Sequence, residues 1–129
     1  MALLSFSNFG HPPREKAERI REAVHVLDER KVDFEYDGEM QANVALNYGL
    51  MKELYPFCRL NGPANVLIMP ALHSANIVAK LMQELGGTAI GPILVGLEKP
   101  VQIVQTGATV NEIVTAAAFA ALATTPLSR

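Results

Sequence analysis

The chain has 129 residues and a mass of 14.0 kDa, with 50% hydrophobic and 19% charged residues, the balance of one globular domain able to bury about two-thirds of its unfolded surface. A formal net charge of -2 gives no basic footprint for nucleic acid. The longest apolar stretch, residues 116–123, is far short of the roughly 20 residues that span a bilayer.

The start lacks the basic region of a signal peptide, so no membrane partner is expected and the setting is expected to be cytoplasmic. The only cysteine, Cys58, cannot make an internal disulfide and reads as a small buried hydrophobe. Apolar sequence already at residue 2 is what a piece cut from a longer chain would show.

Residues 2–6 read as a buried strand. Residues 13–31 read as a helix, with Ala17, Ile20, Val24 and Leu27 on one stripe and Pro12-Pro13 suited to its first turn. A short strand is predicted over 32–36, ending at Asp37-Gly38-Glu39. A helix follows over 40–54, with a break around 47–49. Residues 66–69 are continuously apolar and close at Pro70, the pattern of a parallel strand covered on both faces. Ser74 is placed as the N-cap of a helix ending at Leu85, with Gly86-Gly87 as its stop.

Residues 89–96 and 101–104 read as two further strands, and 109–123 as a last helix; residues 124–129 read as a frayed end. Strands alternating with helices predict an α/β fold, a mostly parallel sheet with helices on both faces, in a single domain over 1–129. The last helix is apolar almost all round, from Val110 through Ile113, Val114 and Phe119. Such a helix needs more cover than one small sheet provides, so a partner subunit or a further domain is expected.

In open α/β sheets ligands lie beyond the carboxyl ends of the strands. That rule selects Ser5, Ser7 and Asn8; Asp37 and Glu39; His73 and Ser74; and the turn Gln105-Thr106-Gly107. In SFSNFG, helix-start N–H groups and side-chain hydroxyls could cradle an anion, or the stretch is a polar corner capping its own helix. It is neither GxGxxG nor a P-loop. DGE at 37–39 offers two carboxylates for acid/base work or a metal, and equally a turn with negative charge at a helix start. His11, His25 and His73 lack metal-ligand spacing, and His25 reads as solvated. Asn65 reads as a structural tie of its loop.

The order LSFSNFG, DGEMQANVAL, GPANVLIMPALHSANIVAKL, IGPILVGLEKPV and GATVNEIV resembles the carboxy-terminal part of the phosphate acetyltransferase and butyryltransferase family, over roughly residues 3–123. SNFG, GEMQAN and GPANVLI are most similar to the transacetylase-like carboxy-terminal domain of bacterial NADP-dependent malic enzymes. The resemblance implies half of a two-part α/β fold that dimerises through this region and binds coenzyme A between its parts. The arginines contributed by the first part are absent. By resemblance Ser5, Ser7 and Asn8 line the acyl-CoA cleft.

Active transacetylases carry a Ser-Arg pair in a segment reading like PVNDLSRG, where this chain has PVQIVQTG. The serine falls on Gln105, the arginine on Thr106, and a following aspartate on Glu112. Loss of the arginine removes a fixed cation suited to phosphate, a hydrogen bond worth roughly 1.5–3 kcal/mol.

The segment is therefore expected to hold no catalytic residue and no metal ligand. It is expected to sense acetyl-CoA and assemble the oligomer of a malic enzyme whose NADP and divalent metal (Mg or Mn) sit in separate malic and NADP-binding domains. A phosphate acetyltransferase and a purely structural dimerisation domain are the alternatives.

Overall fold

A computed structural model describes residues 1–87 and 90–122. Its contacts gather in two compact units, Met1–Val78 and Ala79–Arg129.

The first unit is built on a parallel three-stranded sheet of order β2-β1-β3, from β1 (Ala2–Leu4), β2 (Asp37–Met40) and β3 (Leu67–Ile68). Ala2 lies opposite both Asp37 and Leu67, and Leu3 opposite Gly38 and Ile68. Between Leu3 and Leu4 the register with β2 slips by one residue, so Leu4 faces Met40 and Glu39 is the extra residue. Such a bulge re-aims a side chain. Gly38 is required beside it, because a Cβ there would stand 2.6 Å from the Leu3 carbonyl oxygen.

Alternation along β1 sorts its side chains to two faces. Leu3 packs with Ile20 and Val24 of α1 (Glu15–Arg30). Ala2 and Leu4 pack on the other face with Met40, Val44, Ala45 and Met51, the last three from α2 (Ala42–Leu46) and α3 (Tyr48–Leu54). Helices therefore cover both faces, as the α/β reading required. Burying Ile20 and Val24 stabilises the α1 contact by about 1.5–3 kcal/mol each. Cys58 lies in the larger cluster, where burial pushes its thiol pKa up.

Several boundaries depart from the sequence reading. Helix α1 starts after both prolines, with Arg14 as an extended N-cap. The second strand is Asp37–Met40, not 32–36: pairing with β1 selects it over local apolar character. The predicted break in 40–54 falls at Asn47, whose Oδ1 accepts from the Leu50 N–H at 3.0 Å and starts α3. Ser74 lies inside α4 (Leu72–Glu84) and donates to the Ala71 carbonyl at 2.8 Å, so it is not the cap.

In the second unit, the predicted strands 89–96 and 101–104 reduce, among the described residues, to one antiparallel bridge between Ile93 and Gln102. Pro92 and Pro100 supply no N–H for a longer ladder. Residue 89 lies outside the described residues, as do 123 and the end predicted to fray. Helix α5 (Val110–Leu122) opens on a capping box: Glu112 accepts from the Thr109 N–H at 2.7 Å and from its hydroxyl at 2.8 Å, and the Glu112 N–H donates back at 3.3 Å. None of the described residues from 79 to 122 is buried. No described helix is long and apolar enough to cross a membrane.

Candidate functional site

The loop after β1 is tied down by its own neighbours. Ser5 N–H donates to the Met40 carbonyl at 2.9 Å and Phe9 N–H to the Glu39 carbonyl at 2.8 Å. Asn8 Oδ1 accepts from the Gln41 N–H at 2.8 Å, while the Gln41 amide donates to the Phe6 carbonyl at 2.7 Å. Phe9 and Gly10 take left-handed backbone, which turns the chain toward α1, and the Phe9 ring packs against Tyr55 and Phe57 at about 5 Å.

The centre of this loop is a carboxylate. Glu39, fully buried and re-aimed by the bulge, accepts on Oε1 from Ser7 Oγ at 2.7 Å, Gly10 N–H at 3.0 Å and the Arg21 guanidinium at 3.4 Å. Its Oε2 is buried without a protein hydrogen-bond partner. Ser7 is fully buried, and its oxygen lies 3.1 Å from that of the partly buried Ser5. The donors expected to cradle an external anion thus hold an internal one. The first turn of α1 likewise carries Glu15 and Glu18, which already answer its positive dipole end.

Asp37 has a different duty. It accepts from the Gly38 N–H at 2.9 Å and the Arg59 N–H at 2.8 Å, with the Arg59 side chain 3.4 Å away. Arg59 also bonds Asp28 at 2.6 Å and stacks on the Tyr36 ring, and Tyr36 donates to Asp28 at 2.5 Å. The Tyr36 hydrogen bond, then Arg59, holds the Asp28 carboxyl below its usual range. Asp37 and Glu39 are therefore strand residues that clamp loops rather than carboxylates projecting beyond a strand end. His73 is exposed on α4, and His25 is exposed 3.9 Å from Asp28. Asn65 is exposed, and no group of three His, Cys, Asp or Glu among the described residues is arranged to hold a metal.

Gln105, Thr106 and Glu112 belong to the second unit and share a cleft of about 500 Å³ there. The Ala108 N–H closes the turn on the Gln105 carbonyl at 3.0 Å, presenting Gln105 and Thr106 as exposed residues at its wall. Gln102, Asn111 and Thr115 add amides and a hydroxyl to the lining, and Ile93 and Phe119 an apolar part. Glu112 is committed to the cap, and the Thr109 N–H, then its hydroxyl, holds the carboxyl pKa low. Sequence reasoning missed that duty, although Thr109-x-x-Glu112 is a capping-box spacing. It also missed Arg21 and Arg59, whose partners lie 18 and 22 or more positions away.

The family description Phosphate acetyl/butaryl transferase matches residues 1–121. The chain belongs to the phosphate acetyl/butaryl transferase family. Among curated relatives of this family member, the NADP-dependent malic enzyme of Rhizobium meliloti is 61% identical over 94% of the chain, and the phosphate acetyltransferase of Treponema pallidum 41% identical over 92%. The chain spans only 16% of the first and 36% of the second. The solved EutD phosphotransacetylase of Staphylococcus aureus superposes with a TM-score of 0.81 at 34% identity, over 92% of this chain and 39% of that one. The expected likeness to the transacetylase-like carboxy-terminal domain of bacterial malic enzymes thus holds, and the α/β fold with it.

Proposed function

We propose that this transferase-family segment is a non-catalytic domain of an NADP-dependent malic enzyme that senses acetyl-CoA and helps assemble the oligomer. The observation that carries this reading is the wall at Gln105-Thr106. Acetyl transfer to phosphate needs both reactants held together and the charge that develops on the attacked carbonyl stabilised. Among the described residues lining the cleft there is no Lys, Arg or His, and the one carboxylate, Glu112, is spent on the helix cap. Side-chain amides and hydroxyls can bind and orient an acyl thioester without activating it.

In the first unit, Ser5 is partly exposed and remains a proposed acyl-CoA contact in its own right, whereas Ser7 is buried on Glu39 and the Asn8 Oδ1 is spent on the Gln41 N–H. Oxidative decarboxylation of malate to pyruvate, with NADP and Mg or Mn, belongs in this reading to the malic and NADP-binding domains of the parent chain. The described residues offer no cluster fitted to that metal, and no step of the segment runs through it.

Assembly is supported by exposure. Val110, Val114 and Leu122 of α5 are 78%, 60% and 66% exposed, a large apolar surface of the kind that marks an interface. A phosphate acetyltransferase is the second reading, favoured by the relative in Treponema pallidum. Calorimetric titration with acetyl-CoA, paired with an assay for acetyl phosphate, tests both. Binding without turnover is expected; turnover would select the transferase, and absence of binding would leave only an assembly role.

A further inference from the structure

The fold treats the two oxygens of the buried Glu39 carboxylate differently. Oε1 accepts from the Gly10 N–H at 3.0 Å and the Arg21 guanidinium at 3.4 Å, so it carries lone pairs and Ser7 is the donor in the 2.7 Å contact. A serine hydroxyl has one proton. With that proton given to Glu39, Ser7 accepts from Ser5, 3.1 Å away. Oε2 is equally buried and has no protein partner. Among the described residues no other buried side-chain oxygen or nitrogen stands in that position. Native proteins satisfy such an atom with a protein group, a water or an ion, because its full desolvation penalty is otherwise carried by the folded state.

The chemistry around Glu39 selects the partner. If the carboxyl is ionised, Oε2 needs a donor. If it holds a proton, the three donors on Oε1 require that proton to sit on Oε2, and the hydroxyl then needs an acceptor. A partner that serves both states must give and take a hydrogen bond and be small enough for an enclosed position. Ammonium only donates. A metal ion takes several ligands, and no group of three His, Cys, Asp or Glu among the described residues is arranged to hold one. The Arg21 guanidinium, 3.4 Å from Oε1, also repels a second cation. Water meets every condition. A buried water makes about three hydrogen bonds, and the two carboxylate oxygens share one carbon, so the groups on Oε1 lie within the span of one water from Oε2. A guanidinium has five N–H donors, and a serine oxygen that has accepted once keeps a second lone pair.

We infer that Glu39 Oε2 binds a single internal water, which accepts from the Arg21 guanidinium and donates to the second lone pair of Ser7 Oγ. One enclosed solvent molecule then joins the loop after β1, the bulge of β2 and helix α1. The site lies wholly within the first unit and is independent of the acetyl-CoA reading.

The test is a crystal structure of the full chain at a resolution that orders waters, paired with water relaxation dispersion in solution, which counts waters held longer than the protein tumbles. One fully occupied oxygen within about 3 Å of Oε2 is expected, and it should persist in crystals grown without ammonium or metal salts. Glu39→Gln keeps an acceptor at Oε1 and places an N–H where Oε2 stood, so it should retain this water. Glu39→Met, similar in shape and without a polar end, should lose one long-lived water relative to the wild type. Should Glu39→Met fail to fold, the wild type and Glu39→Gln decide the matter. An Oε2 that is bare, an Arg21 guanidinium turned to span both carboxylate oxygens, density that vanishes when the salt is omitted, or an unchanged count of long-lived waters in Glu39→Met overturns the inference.

Discussion

Ser7 Oγ donates a 2.7 Å hydrogen bond to Glu39 Oε1, and both side chains are fully buried. The pair joins the loop after the first strand to the bulge of the second, and a buried charge of this kind is tolerable only while its donors are present. Ser7→Ala removes one donor and should destabilise the protein by about 1–3 kcal/mol. Urea denaturation with an unchanged slope and a lower midpoint is the expected result; an unchanged midpoint would mean that Gly10 and Arg21 satisfy Glu39 without it.

Gly38 should tolerate no side chain. A Cβ at 2.6 Å from the Leu3 carbonyl oxygen meets the backbone of the central strand β1, and the φ of +151° at Gly38 is itself strained for any side chain. Gly38→Ala is expected to cost about 1–3 kcal/mol. Gly62→Ala, with nothing within 4 Å of the added carbon, should stay within about 0.5 kcal/mol. Thermal denaturation of the two variants side by side checks the contrast.

The Asp28–Arg59–Tyr36 network should make stability pH-dependent on the acid side. The Asp28 carboxyl is held below its ordinary value of 3.8 by Tyr36 and then Arg59. A depressed folded-state pKa means that the unfolded chain takes up the proton first. The stabilisation is thus complete above the ordinary value and is lost as pH falls through the lower folded one. Urea midpoints measured from neutral pH down to pH values below 3.8 should fall less steeply in Tyr36→Phe than in the wild type. Parallel curves would show that the contact is too solvent-screened to matter.

Acetyl phosphate should not form from acetyl-CoA and phosphate. Gln105 and Thr106 stand where active relatives are expected to carry Ser and Arg, and restoring that pair in this chain alone should not suffice, because the first-part arginines remain absent. A coupled assay that detects turnover above the blank, abolished by Thr106→Ala, would identify a working transferase.

A dimer of twice 14.0 kDa is expected by light scattering. The apolar sides of α5 have no buried residue, and Ala117→Glu or Ala120→Glu should bring dissociation or aggregation, since a carboxylate buried unpaired in an interface costs several kcal/mol. A well-behaved monomer at micromolar concentration would refute this.

Periodicity was enough to locate α1, β1 and β3 of the first unit in the sequence. Ala17, Ile20 and Val24 recur at helical spacing and do form the buried stripe of α1, and the apolar runs at 2–6 and 66–69 do hold β1 and β3. Local chemistry also carried the break at Asn47, because its side chain bonds a backbone N–H only three residues on. The order of the motifs carried the family. Tertiary structure decided which residues of 32–40 pair with β1, since register depends on a distant strand and a single-residue slip moves side chains to the other face. That slip buries Glu39 and turns SFSNFG from an open cradle into a loop wrapped around the protein's own carboxylate. Hydrogen-bond direction was decided there as well. A serine in a sequence is both donor and acceptor, and only the folded chain, by spending the Ser7 proton on Glu39, leaves Ser5 with lone pairs to offer.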